Sequence, residues 1–242
     1  MSSNRSVLSI SGLDVEVVRK EIKNVHLSVM PPLGRVRLTA PQNMTEDNAR
    51  LAVITRWGWI KKKQKEYLSQ RRETAREYVD GETHYFEGQK YLLSVLNTNG
   101  AAKVAVAGNG RIEIRCRADA NRQSKAKAFD SLYRRHLTEV LEKIVPSWCE
   151  ALAVAPPIVR IQRMRTKWGS CNPQTKRIMI NLELAKKPRS CVEYIVAHEL
   201  AHLRVRYHNA EFIALLEKVM PDWRHHKEVL NSLPLAHDEW VG

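Results

Sequence analysis

The stretch Ala197–Phe212, AHELAHLRVRYHNAEF, holds three histidines and two glutamates in sixteen residues. On an α-helix, residues four apart share a face. His198 and His202 would therefore present two imidazoles in one direction, a spacing that suits two vertices of a zinc tetrahedron. Glu199 is turned by about 100° from His198. That is a poor position for a ligand of the same ion, but one from which a carboxylate reaches a water beside it. The pattern is H-E-x-x-H: two ligands and one general base. A catalytic zinc needs a third protein ligand and an open vertex. His208 is the candidate, and its position six residues beyond His202 requires the helix to end or bend, with Tyr207–Asn209 as the expected place.

The spacing H-E-x-x-H-x5-H matches the metzincins, yet Val205 stands where those carry glycine, so the turn must be made differently. Around the pair, Tyr194, Ile195, Ala197, Leu200, Ala201 and Leu203 are mostly apolar. Histidines buried there cost desolvation free energy unless partnered, and a metal ion is such a partner. Three imidazoles suit Zn2+ and also admit iron, cobalt or nickel. Tyr207 and Arg163 are the candidate donors to an oxyanion. Asn209 and Glu211 are candidates to orient the ligands, and His225 and His226 for solvated or capping roles.

The elements that must hold these groups follow from periodicity. Val25, Leu27 and Val29, then Val36 and Leu38, alternate around Pro31–Gly34, which predicts a hairpin. Thr45 caps a helix expected to run to about Glu77. Turns at Asp80-Gly81, Glu87-Gly88 and Gly108–Gly110 punctuate further strands. From Asn121, apolar residues at helical spacing (Phe129 through Trp148) predict a long helix, with a kink or fresh turn at Pro146. Two strands, IVRIQRM and RIMINLEL, flank the linker that contains Trp168–Cys171, in which Gly169 permits a tight turn or a close backbone approach. Pro188 and Ser190 open the motif helix. A shorter helix near Glu211–Val219 and a basic tail after Pro221 follow. No internal repeat is evident. The expected fold class is α+β: a mixed β-rich domain with one basic helix over 1–117, then a zincin-like domain with the H-E-x-x-H helix and a small sheet over 118–242.

Composition sets outer limits. The 242 residues include 40 Lys and Arg against 26 Asp and Glu, a formal net charge of +14, which attracts polyanions at low salt. Arg56, Trp57, Trp59, Lys61–Lys63, Lys65, Arg71, Arg72 and Arg76 form a basic, aromatic stretch that suits nucleic acid. No apolar run approaches the roughly 20 residues of a membrane span, and no secretory signal is read. Four scattered cysteines with no C-x-x-C argue against a zinc ribbon or disulfide scaffold, and the expected location is the cytoplasm. Cys171 is expected to pack rather than to ligate or attack.

In combination, TKWGSC (Thr166–Cys171), INLEL (Ile180–Leu184), the motif helix and MPDWRHHK (Met220–Lys227) resemble the YgjP-like metallopeptidase domain. The segments Ala40–Lys63 and Tyr78–Leu93 extend the resemblance over most of the chain. It implies a zinc-dependent hydrolase of the gluzincin-like or SprT-like kind, with His198, His202 and His208 as ligands and Glu199 as base. The expected activity is a metallopeptidase acting on peptide or protein. The alternatives are a nucleoside triphosphate pyrophosphatase using the same metal, and a nucleic-acid-associated binding protein with a structural zinc.

Overall fold

Ser11 (φ 47°) and Gly12 (φ 76°) turn the chain through left-handed backbone at the head of its first hairpin. The strands it joins are β1 (Asn4–Ile10) and β2 (Leu13–Lys20), with Ile10 opposite Leu13. The structure, a computed structural model, describes residues 4–30, 34–69, 76–164 and 167–233. A second hairpin pairs β3 (His26–Met30) with β4 (Arg35–Pro41), placing Val29 against Val36 and Leu27 against Leu38 as the alternation predicts. Three residues of its turn, 31–33, lie outside the described residues. β2 and β4 pair in parallel, which gives the sheet order β1-β2-β4-β3. Strand β1 was not legible in the sequence.

Thr45 caps α1 (Glu46–Ile54), its side chain accepting from the Asn48 amide. The helix does not run on to Glu77. It stops at Thr55, whose hydroxyl donates to the Leu51 carbonyl at 2.8 Å, a back-bond that competes with regular helix. α2 (Trp57–Ser69) then begins, while 70–75, including Arg71 and Arg72, lie outside the described residues. Val15, Val17, Val36, Leu38, Val53 and Ile60 make the core of this amino-terminal unit, Met1–Arg71.

The carboxy-terminal unit, Arg72–Gly242, opens with the same architecture. β5 (Thr83–Phe86) and β6 (Gln89–Asn97) turn at Glu87 (φ 47°) and Gly88 (φ 78°). β7 (Lys103–Ala107) and β8 (Arg111–Cys116) form a hairpin, β6 pairs with β8 in parallel, and the order is β5-β6-β8-β7. Asn121 then caps α3 (Arg122–Ala151). Gly12 and Gly88, Gly34 and Gly110, and Thr45 and Asn121 are each separated by the same 76 positions. So are the buried pairs Val17 and Leu93, Val36 and Ile112, Leu38 and Ile114, and Val53 and Phe129. The fold therefore holds a repeat, four strands and a helix, that the side-chain identities conceal.

The boundary between the two units falls at 71/72 rather than at 117/118. The physical reason is the core. Leu93, Ile112 and Ile114 of the second sheet share one buried cluster with Phe129, Leu137, Leu182 and Leu200, so cutting at 117 would split a continuous apolar interior. α3 continues through Pro146 without a break, the Ser147 hydroxyl donating to the Ile144 carbonyl.

A third sheet follows. β9 (Ile158–Gln162) and β11 (Arg177–Asn181) are parallel, and the expected linker supplies an additional strand, β10 (Gly169–Asn172), antiparallel to β11. Asn172 makes the turn by accepting from the amides of Gln174 and Thr175. A 3-10 helix (Leu182–Lys186), α4 (Arg189–Ala201), α5 (Ala210–Val219) and α6 (Trp223–Ser232) complete a mixed α+β chain. α6 occupies much of the expected tail, whose remainder, 234–242, lies outside the described residues. Among the described residues no helix is long and apolar enough to cross a membrane.

Candidate metal centre

α4 is apolar nearly all round, as a buried helix must be: Cys191, Val192, Ile195, Val196, Ala197 and Leu200 are all buried. The helix ends at Ala201, earlier than expected. His202 is its C-cap, and the amides of Leu203, Arg204 and Val205 bond back to the carbonyls of Leu200 and Ala201. Val205, where a glycine was missing from the pattern, keeps negative φ and buries its side chain. The chain then returns to Asn209, whose side chain caps α5 by accepting from the Phe212 amide at 3.0 Å. His208 is thus held just before a capped helix start.

The result is convergence. His208 Nε2 lies 3.1 Å from His202 Nε2 and 2.9 Å from His198 Nε2, and all three donor atoms lie within 4.8 Å of one another. His202 Nδ1 is 3.1 Å from the Val205 carbonyl. A carbonyl only accepts, so Nδ1 carries the proton and Nε2 offers its lone pair. One ring proton cannot satisfy three nitrogens that face one point, whereas a divalent cation accepts a lone pair from each; the donor set fits such an ion. Burial, reinforced by the neighbouring imidazoles, pushes His198 down to about 3. Burial also lowers His202. Both rings are therefore neutral near pH 7, the state that ligates.

Phe212 packs among the three rings at 4.6 to 5.0 Å between centroids. Its only sequence signal is its place four residues after His208. Tyr194 meets His198 edge-on at 5.8 Å, while His198 Nδ1 is buried without a hydrogen-bond partner. The orientation of His198 thus rests on packing.

Glu199 is buried beside the triad, and burial raises its carboxyl to about 7 against the opposing pull of Lys167. Gly169 makes room for it. A Cβ there would stand 2.7 Å from Glu199 Cγ and Oε1 and 2.9 Å from Ile195 Cγ2, so the close-approach reading of this glycine is the one the structure bears out. Asn181, also buried, bonds to two residues ahead of β10: its amide donates to the carbonyls of Met164 and Lys167 at 2.8 and 2.7 Å. Sequence reading gave Asn181 no role.

These groups border a cleft of about 580 Å³. One wall is β10, with Gly169, Ser170, Cys171 and Asn172 all lining it, and the other carries the triad and Glu199. Lys167 and Arg206 also line it; Lys167 acts electrostatically on the Glu199 carboxyl, and among the described residues neither cation is within salt-bridge distance of an acidic group. The Cys171 thiol is pushed up to about 11 by burial and by the Glu199 carboxylate, which keeps it protonated and unsuited to attack.

The candidate oxyanion donors do not sit here. Arg163 is held by Asp130 at 2.6 Å and by Glu183, and Tyr207 is 67% exposed under the Arg206 guanidinium. His226 pairs with Asp222 at 3.0 Å, and His225 is exposed. Asn209 serves as a helix cap.

A model of the YgjP-like family, described as its metallopeptidase domain, matches residues 23–233. The chain belongs to this family. Among solved structures it is similar to the metallopeptidase zymogen of Pyrococcus abyssi abylysin, with 27% identity over 37% of this chain and 87% of that one, and a TM-score of 0.34. No curated protein matches the chain. Membership in the YgjP-like family supports a hydrolase of the metallopeptidase kind, and the histidine cluster is one that could hold a metal ion.

Proposed function

We propose that this YgjP-like chain is a zinc-dependent metallopeptidase in which His198, His202 and His208 hold the ion and Glu199 is the general base. The observation that carries this reading is the meeting of three Nε2 atoms beside a buried carboxylate in one open cleft. A divalent ion held there supplies Lewis acidity, lowering the pKa of water and polarising a carbonyl. Glu199 accepts the water proton and returns it to the leaving amine. β10 is an edge of its sheet, which runs β10-β11-β9. Its outer backbone groups suit an extended peptide laid alongside, as in strand addition, and this favours peptide or protein over other substrates.

A second reading has one observation in its favour. Lys167 and Arg206 give the cleft the positive charge that a nucleoside triphosphate requires, and the same ion and base would serve phosphoanhydride hydrolysis. Metal analysis of the purified protein, followed by a panel of unstructured peptides and nucleoside triphosphates, separates the two. Peptide cleavage with stoichiometric zinc is expected. Pyrophosphate release without peptide cleavage reverses the order. Glu199→Gln should retain zinc and lose about 10²- to 10⁴-fold in kcat, whereas His202→Ala should lose the metal. Full activity in the first variant, or unchanged zinc in the second, refutes the assigned role.

A further inference from the structure

The repeat exposes a difference between its two helices. In the second copy Leu132, Leu137 and Leu141 are at most 5% exposed and belong to the cluster that includes Leu182, Leu184 and Leu200. There α3 packs against the 3-10 helix, α4 and β9, so these leucines serve the elements that carry the metal centre. At the same positions of the first copy, 76 residues earlier, stand Arg56, Lys61 and Lys65, all exposed. Among its described residues the amino-terminal unit, which ends at Arg71, has no counterpart of those covering elements.

The charge there is unbalanced. From Asn48 to Ser69 the chain has six cations and one acidic residue, Glu66. Arg50 is answered by Glu46 at 2.8 Å, and Lys61 lies over the Trp57 ring at 5.0 Å. Arg56, Lys62 and Lys65 have no acidic partner among the described residues. Like charges three and four apart on a helix repel, so α2 carries a cost that a polyanion would relieve. Among these cations Trp59 is 42% exposed, three residues from both Arg56 and Lys62. Beside it Gly58 leaves the backbone bare, since a Cβ there would meet nothing within 4 Å.

We infer that this face of α2, centred on Trp59, Arg56, Lys62 and Lys65, binds a single-stranded polynucleotide. Phosphates neutralise the cations, and an unpaired base stacks on the indole. A duplex keeps its bases turned inward and offers nothing to stack. A membrane is a weaker fit, because the main apolar face of α1 and α2, Val53, Trp57 and Ile60, is committed to the core. That leaves Leu51, Ile54, Trp59 and Leu68 as the exposed apolar side chains of α1 and α2, too few to anchor the helix. The inference stands on the amino-terminal unit and does not depend on the peptidase reading.

The test uses the full chain and fluorescein-labelled 20-mers, single-stranded DNA, single-stranded RNA and duplex, followed by anisotropy over a salt series, beside vesicles containing phosphatidylserine. Single strands should bind more tightly than duplex, with log affinity falling about 0.7 per phosphate contact against log salt. The double variant Lys62→Glu/Lys65→Glu should weaken binding at least ~10-fold and flatten that slope. Trp59→Ala should weaken it ~5- to 100-fold while leaving the slope unchanged. All variants should keep the parent circular dichroism and peptide hydrolysis. No binding of single strands at about 50 mM salt, affinity unmoved by these variants, duplex bound as tightly as single strand, or vesicle binding without oligonucleotide binding would each overturn the inference.

Discussion

The two copies of the four-strand-and-helix arrangement share turn positions, helix caps and buried strand positions, yet among the described residues only the unit of the second carries a histidine cluster that could hold a metal ion. Leu38 and Ile114 occupy equivalent places and both are fully buried, so the sheet's own requirement is the same in each. The helices differ. α3 is apolar on a broad face and helps to make one interior with α4, whereas α2 spends the equivalent positions on cations. One scaffold thus supports two kinds of surface, an apolar one in the unit that also contains β9–β11 and α4, and a charged one in the other.

The sharpest way to break this comparison is to open the two cores in turn. Leu38→Ala and Ile114→Ala should each cost about 2–5 kcal/mol, measured by denaturant unfolding with separate probes for the two units. Ile114→Ala should lower the transition of the unit that carries the metal site, while Leu38→Ala should leave that transition and hydrolysis unchanged. Equal shifts of a single shared transition would show that the copies do not act as separate units.

Next in size is a pH effect confined to one copy. His84 stands where the first copy has Leu8, and both are buried. Burial pushes His84 down to about 4, opposed by Glu82, and its ring stacks on Phe129 at 4.3 Å. Its folded pKa lies below the unfolded 6.5, so the unfolded chain takes up the proton first. The stability present above pH 6.5 is lost as pH falls towards 4, by up to about 3 kcal/mol. His84→Leu, which copies Leu8, should flatten the stability of the second unit across that window. An unchanged pH profile would refute the role of His84.

Gly169→Ala probes what the second copy alone supports. The added Cβ displaces Glu199 or Ile195, at a cost of about 1–3 kcal/mol in stability and, by shifting the carboxylate proposed as the base, about 10²-fold in kcat. Parent kcat in this variant would mean that Glu199 need not sit where it does. The smallest expected effect is at the equivalent caps. Thr45→Ala and Asn121→Ala should each cost about 1 kcal/mol. A loss at only one of them in thermal unfolding would show that the two helix starts are not equivalent in energy.

Much of this protein is written locally. The four-residue spacing of His198 and His202 on a helix, the cap at Thr45, and the turns at Glu87-Gly88 and Gly108–Gly110 follow from short-range sterics and hydrogen bonding, and each was legible in the sequence. His208 was legible as a candidate because the H-E-x-x-H pattern demands a third ligand. Its approach to 2.9 Å of His198 depends on the Val205 turn and on Phe212, which no spacing rule specifies. The cleft wall β10, the clamp at Asn181, and Lys167 and Arg206 beside Glu199 were decided by tertiary structure alone. So were the boundary at residue 71 and the repeat, because a core joins residues distant in the chain and accepts any apolar side chain of suitable volume, so equivalent positions need share burial without sharing identity.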